Sequence, residues 1–127
     1  MTGWMFVLAG IGGAAGAAVR YAVSRLFVAR GWQPMLATLS VNLAGSLAIG
    51  VLIGLQLPTM KPDVHVLLGI GFLGGLTTYS TLNVQKAVMW NVRKRKSLLK
   101  YILATYPGGW TLTAIGVVIG QAAAVMN

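Results

Sequence analysis

Gly71-Phe72-Leu73-Gly74-Gly75-Leu76-Thr77-Thr78-Tyr79-Ser80-Thr81-Leu82 is the stretch on which the fold turns. It lies inside an apolar run, 66–85, yet it makes a poor continuous helix. Glycine costs about 1 kcal/mol relative to alanine in a helix interior, and β-branched threonine loses rotamer freedom against the preceding turn. Unwinding here would free backbone carbonyls at membrane depth, which is tolerated only where they are buried or line a watery cavity. Freed carbonyls are good ligands for a hard cation such as Na⁺. Hydroxyls and aromatic ring edges suit an anion, because the ring edge carries partial positive charge. The competing reading is a glycine kink whose Ser and Thr hydroxyls bond back to their own helix.

The rest of the chain places this stretch in a membrane. Of 127 residues, 57% are hydrophobic and 9% charged, with ten Lys/Arg against a single acid, Asp63. Mean hydropathy is +0.77. A soluble domain would carry about 25% charged residues. With no cysteine, a disulfide scaffold and a thiolate metal site are excluded. Paired-carboxylate catalysis is nearly excluded by the lone acid, and no enzyme is expected. The apolar runs fit an all-α, four-transmembrane-helix protein in one integral membrane domain, with spans at roughly 4–27, 34–57, 65–90 and 101–125, since a span needs about 20 apolar residues. No basic segment precedes the first run, whose first positive charge is Arg20, so that run is expected to be a retained helix.

Four spans put the Arg20–Gln33 and Asn91–Lys100 connections on one side. That side carries Arg20, Arg25, Arg30, Lys86, Arg93, Lys94, Arg95, Lys96 and Lys100, and the other only Lys61. The positive-inside rule makes the basic side cytoplasmic and both termini external. The Arg93–Lys96 cluster reads as a topology signal and headgroup anchor in the lipid bilayer, not as a nucleic-acid site.

Each span holds one GxxxG: Gly12/Gly16, Gly50/Gly54, Gly71/Gly75 and Gly116/Gly120. Such pairs let helix backbones approach closely, and lipid gives no hydrophobic drive to do that work. Four short helices enclose little volume, so a pore calls for a second subunit. Intramembrane polar residues are the functional candidates. Thr38, Asn42 and Ser46 share one face of the second span, as pore lining or as interhelical glue. Tyr106, Gly109, Thr113, Gly116 and Gly120 share a face of the fourth, with Pro107 near its start, where proline is best tolerated. Tyr106 is either a phenol donor to a pore or an interfacial anchor. Arg20 can snorkel or pair with carbonyls, and His65 reads as an interfacial residue.

At these residues the chain resembles the Fluc, or CrcB, family of bacterial fluoride channels. The matching stretches are GGAAGAAVRY at 12–21, ATLSVNLAGSLAIG at 37–50 and GFLGGLTTYST at 71–81. The resemblance implies a four-helix subunit of the bacterial cell membrane, with a broken third helix, in an antiparallel dimer that carries two fluoride pathways. It also implies a structural Na⁺ at the dimer interface, held by the backbone carbonyls of Gly74 and Thr77. Asn42 would be the pore-lining amide, Arg20 the arginine closing the first motif, Ser80 and Thr81 the polar track, and Tyr106 the fourth-helix tyrosine. The family's two phenylalanines, whose ring edges meet fluoride, fall on Tyr79 and Leu82. A frequent glutamate falls on Gln85, and the expected fourth-helix serines fall on Trp110 and Ala114, with Thr111 and Thr113 nearby but out of phase.

A subunit that pairs antiparallel with itself must insert both ways, which the nine-to-one charge split opposes. A heterodimer with a homologous subunit of opposite orientation is therefore favoured over a homodimer. The implied function is passive fluoride efflux, with Asn42, Ser80, Thr81, Tyr106 and Thr113 as candidate lining beside Tyr79 and Leu82. One rival is a non-conducting regulatory subunit. Another is a small multidrug-resistance-type exporter, which needs an acid in its first helix, and residues 1–19 hold none.

Overall fold

The computed structural model describes residues 3–77 and 80–126, and for 80–82 it describes the backbone alone. Every regular element among the described residues is helical. Helix α1 spans Gly3–Ala29 and α2 spans Pro34–Gly54. Between them Gly31 takes φ +75°, a left-handed turn conformation that glycine adopts without steric cost. Pro34 opens α2 at the first helical position, where its missing N–H has no partner to lose. Gln56, at φ 62°, turns the chain out of α2. Two single-turn helices follow, α3 (Leu57–Met60) and α4 (Pro62–His65), each with a proline in its first two positions.

The deciding stretch follows. Val66–Leu73 is a π-helix, a winding rarely sustained beyond one turn and frequent at functional sites. It continues into α5, Gly74–Leu76. Thr77 then leaves helical geometry at φ −81°, ψ 157°. Helix α6 spans Ser80–Asn91 and α7 spans Arg95–Met126. Three helices, α1, α2 and α7, are long and apolar enough to cross a membrane, and Pro62–Leu76 is a shorter apolar segment. The chain is a multi-pass, all-α membrane protein.

The start of α7 departs from the sequence expectation. The helix begins at Arg95 rather than Tyr101, because Arg, Lys and Leu in Arg95–Lys100 are good helix formers even where the apolar run has ended. Pro107 consequently lies inside the helix and not near its start.

The glycine motifs explain how the helices assemble. A methyl at Gly12 or Gly16 would collide with the Leu67 or Phe72 carbonyl oxygen, and one at Gly75 with the Gly13 carbonyl oxygen. On the other side, Gly50 and Gly54 lie against Thr113 and Val117, while Gly116 and Gly120 lie against Leu47 and Val51. The four motifs thus pair off as two backbone-to-backbone seams, α1 with the π-helix and α5, and α2 with α7. Val41, Leu73 and Leu76 close the space between the two pairs, and Met89 and Tyr101 form a second cluster near the α6–α7 connection. Large apolar side chains such as Phe6, Ile70 and Trp110 stand outward, as a lipid-facing surface requires.

Candidate functional site

Where the two helix pairs meet, their seam opens into a cleft of about 380 Å³. Helix α2 contributes Asn42, Gly45, Ser46 and Ile49. The third segment contributes Gly69, Leu73, Gly74 and Thr77, and α7 contributes Thr105, Tyr106, Gly109, Trp110 and Thr113. Helix α1 takes no part in the lining, so Arg20, half-buried on that helix, stands outside the cleft.

Helix periodicity delivers these side chains. Asn42 and Ser46 lie one turn apart on α2, as do Thr105, Gly109 and Thr113 on α7. Glycines at 45 and 109 let the opposite wall approach: the Thr77 methyl packs on Gly45, and Ser46 Oγ lies 3.2 Å from where a methyl on Gly109 would be. One hydroxyl bonds across the walls, and two others bond back along their own helices. Ser46 Oγ donates to the Asn42 carbonyl at 2.9 Å, and Thr113 Oγ1 donates across to the Ser46 carbonyl at 3.1 Å. Thr77 Oγ1 donates to the Leu73 carbonyl at 2.9 Å, which also receives the Thr77 N–H at 3.0 Å. Side-chain glue and helix back-bonding, the two plainer readings of these residues, are therefore both realised, at Ser46, Thr113 and Thr77.

Other donors are differently placed. The Thr105 hydroxyl is buried without a hydrogen-bond partner among the described residues. Tyr106 Oη accepts a bond from Lys86 Nζ at 2.8 Å. Beside that pair, the buried Tyr101 hydroxyl donates to Gln85 Oε1 at 2.8 Å. Trp110 stands at the margin of the cleft with 73% of its surface exposed. Thr111 faces away and bonds back to the Pro107 carbonyl.

Sequence reasoning misses two residues here. Thr105 carried no distinguishing pattern. Lys86 was counted only toward topology, although an isolated lysine in an apolar run, in a chain with one acid, was a visible signal. His65, read from sequence as an interfacial residue, stands outside the cleft; its Nδ1 is buried and its ring packs over Gly69. Tyr79 lies outside the described residues. So do the side chains of Ser80, Thr81 and Leu82, whose backbone forms the first turn of α6.

A hard cation requires oxygen ligands, and main-chain oxygens suffice. Among the described residues no group of three or more His, Asp or Glu lies together. The extended ψ of Thr77 turns its carbonyl away from the helical direction, and the side of Gly74 where a Cβ would stand has no atom within 4 Å. Neutral carbonyls at Gly74 and Thr77 fit a hard monovalent cation better than a transition metal, which would seek nitrogen or sulfur.

Residues 7–117 match the family described as CrcB-like protein, Camphor Resistance (CrcB). The chain is 35% identical over 121 residues to "Fluoride-specific ion channel FluC 2" of Lactobacillus delbrueckii subsp. bulgaricus, covering 92% of this chain and 98% of the relative. It is 38% identical over 111 residues to "Fluoride-specific ion channel FluC 1" of Geobacillus kaustophilus, covering 87% and 93%. Against "Fluoride-specific ion channel FluC 2" of Moorella thermoacetica it is 36% identical over 115 residues, covering 89% and 92%.

Proposed function

The chain belongs to the CrcB-like family, and on that premise we propose that it is a subunit of a fluoride-selective channel that lets fluoride leave the cytoplasm passively. The observation that carries this reading is the composition of the cleft: an amide, hydroxyls and a phenol line it, and no carboxylate does. A small anion gives up tightly held water on entering such a path, so donors must replace it without holding the ion too firmly. Asn42 supplies amide N–H groups. The Thr105 and Tyr106 hydroxyls supply further donors, while Ser46 and Thr113 keep α2 and α7 in register. Tyr79, Ser80, Thr81 and Leu82 complete the proposed track along the third span. A negative interior drives an anion outward by about 2.3 kcal/mol per charge per 100 mV. No coupled proton or nucleotide is needed.

In this reading the chain crosses the membrane four times, the third span running from the π-helix through α6 with its interruption at Thr77. A homologous subunit of opposite orientation completes the channel as an antiparallel dimer. The charge split favours a heterodimer with both termini of this chain external. A structural Na⁺ held by the Gly74 and Thr77 carbonyls would contribute fixed positive charge at the dimer centre. Arg20, outside the cleft, fits an anchoring role rather than a lining one.

The test is fluoride release from vesicles loaded with potassium fluoride, carrying the chain alone or with its homologous subunit. Release that survives chloride competition, and falls at least tenfold in Asn42→Ala, supports the channel reading; the tenfold reflects the loss of about 1.4 kcal/mol of donor interaction. Absence of release in both preparations overturns it and leaves the regulatory-subunit reading.

A further inference from the structure

We propose that Lys86 is a positioning residue for the transported anion: its ammonium donates to the Tyr106 oxygen and thereby turns the phenol proton into the cleft as a charge-assisted donor. The inference rests on the fluoride reading and adds to it a residue at the α6–α7 end of the path.

The argument starts from donor and acceptor inventories. An ammonium has three N–H donors and no lone pair, so in the 2.8 Å contact with Tyr106 Oη the phenol can only accept. The phenol has one proton of its own, and that proton must point elsewhere. Tyr106 lines the cleft, so the cleft is the available direction. A hydroxyl that accepts from a cation is polarised and becomes a stronger donor. Nζ also lies 5.2 Å from the Tyr106 ring centroid, but the much shorter contact to oxygen decides the geometry. The neighbouring Thr105 hydroxyl, buried and unpartnered among the described residues, stands ready as a second donor on the same turn of α7.

Charge balance leads to the same conclusion. Lys86 is half-buried on α6, in a segment read as membrane-spanning. A cation at such depth is costly unless it is paired. The only acid in the chain, Asp63, lies in α4 ahead of the π-helix, at the other end of the third span. No carboxylate of this chain is therefore at hand, and a neutral phenol oxygen compensates the charge only in part. The missing negative charge is supplied by the anion in transit, whose local concentration the ammonium raises. The neighbouring tyrosine, Tyr101, is satisfied by Gln85 and has no such role.

The experiment compares initial fluoride release at several fluoride concentrations for vesicles carrying the wild-type chain with its homologous subunit, and for K86M, K86R, Y106F and K86M/Y106F. Gel filtration of each purified variant reports folding. The expected result for K86M is a rise of about tenfold in half-saturating fluoride, with a smaller change in maximal rate, as for loss of a charge-assisted bond. K86R keeps the charge and the donors, and should stay within about threefold of wild type. In the Y106F background the K86M effect should shrink, because the phenol through which the ammonium acts is gone. Wild-type release with K86M indistinguishable from it overturns the inference and leaves the channel reading standing. So does an equal loss in K86R and K86M, or a K86M effect undiminished in Y106F. Absence of release from wild-type vesicles overturns both.

Discussion

Substituting Gly116 with alanine tests the central claim about how this molecule is held together. The new methyl would collide with the Leu47 carbonyl oxygen, and would lie 2.9 Å from the Val51 nitrogen and 3.0 Å from the Gly50 Cα. Carbon atoms prefer separations of about 3.5–4.0 Å, so α2 and α7 must part locally by about 0.5–1 Å. A gap of that size forfeits about a quarter to a half of the dispersion energy of the atoms lining it, and overpacking of this kind costs about 1–3 kcal/mol. The intrinsic helix preference of alanine returns about 1 kcal/mol, leaving a net loss of about 0–2 kcal/mol. Gly10→Ala is the control: nothing lies within 4 Å of its would-be methyl, so propensity acts alone and the variant should be neutral or more stable by up to about 1 kcal/mol. The difference of about 2 kcal/mol, roughly thirtyfold in the folded population, is readable by titrating purified protein in mixed micelles with sodium dodecyl sulfate and following tryptophan fluorescence. A Gly116→Ala protein as resistant as Gly10→Ala would refute the backbone-contact account of the α2–α7 seam.

Thr113→Val keeps the shape of the side chain and removes its donor to the Ser46 carbonyl; the same titration should show a loss of about 1 kcal/mol, and an unchanged midpoint would mean the bond contributes nothing. Replacing sodium by N-methylglucamine throughout purification and reconstitution should sharply reduce fluoride release if main-chain oxygens at Gly74 and Thr77 hold a structural Na⁺, and undiminished release argues against that site. A C-terminal epitope on the chain expressed by itself should be reached by antibody or protease from the external side only. Equal labelling from both sides would remove the case for a one-way insertion and, with it, for the heterodimer.

The parts of this structure that could be read from sequence are those governed by short-range rules. Apolar length gave α1, α2 and α7 because a bilayer fixes how many residues a helix needs. The glycine spacing marked which helix faces would be approached, but not which motif would meet which. Pairing is decided by tertiary packing, and nothing in Gly12/Gly16 distinguishes Gly71/Gly75 from Gly50/Gly54 as a partner. The reading around Pro107 departs for a related reason: apolar length locates the start of a span, whereas the helix extends back through Arg95–Lys100, whose charges end the apolar run without ending the helix. At the site, family motifs drew attention to Asn42, Thr77 and Tyr106, all of which line the cleft. Thr105 and Lys86 carry no motif. Thr105 is marked by a missing partner among the described residues, which emerges only when neighbouring helices are in place, whereas Lys86 stands out in the sequence as a lone lysine in an apolar run and gains its partner, Tyr106, from the fold.

The glycine seams also explain where the polar groups had to go. Along α1 with the π-helix and α5, and along α2 with α7, backbone lies against backbone at the glycines, leaving no room there for a side chain between the paired helices. Larger side chains are thereby left to the outward surface or to the boundary between the two pairs. One part of that boundary is filled by Val41, Leu73 and Leu76. The remainder receives Asn42, Thr77, Thr105 and Tyr106, whose hydrogen-bonding groups would be costly facing lipid. Sealing the seams with glycine and opening the cleft are thus one packing solution. A membrane chain of this size places donors along a path by giving up side chains elsewhere, and the glycines along the two seams are the signature of that exchange.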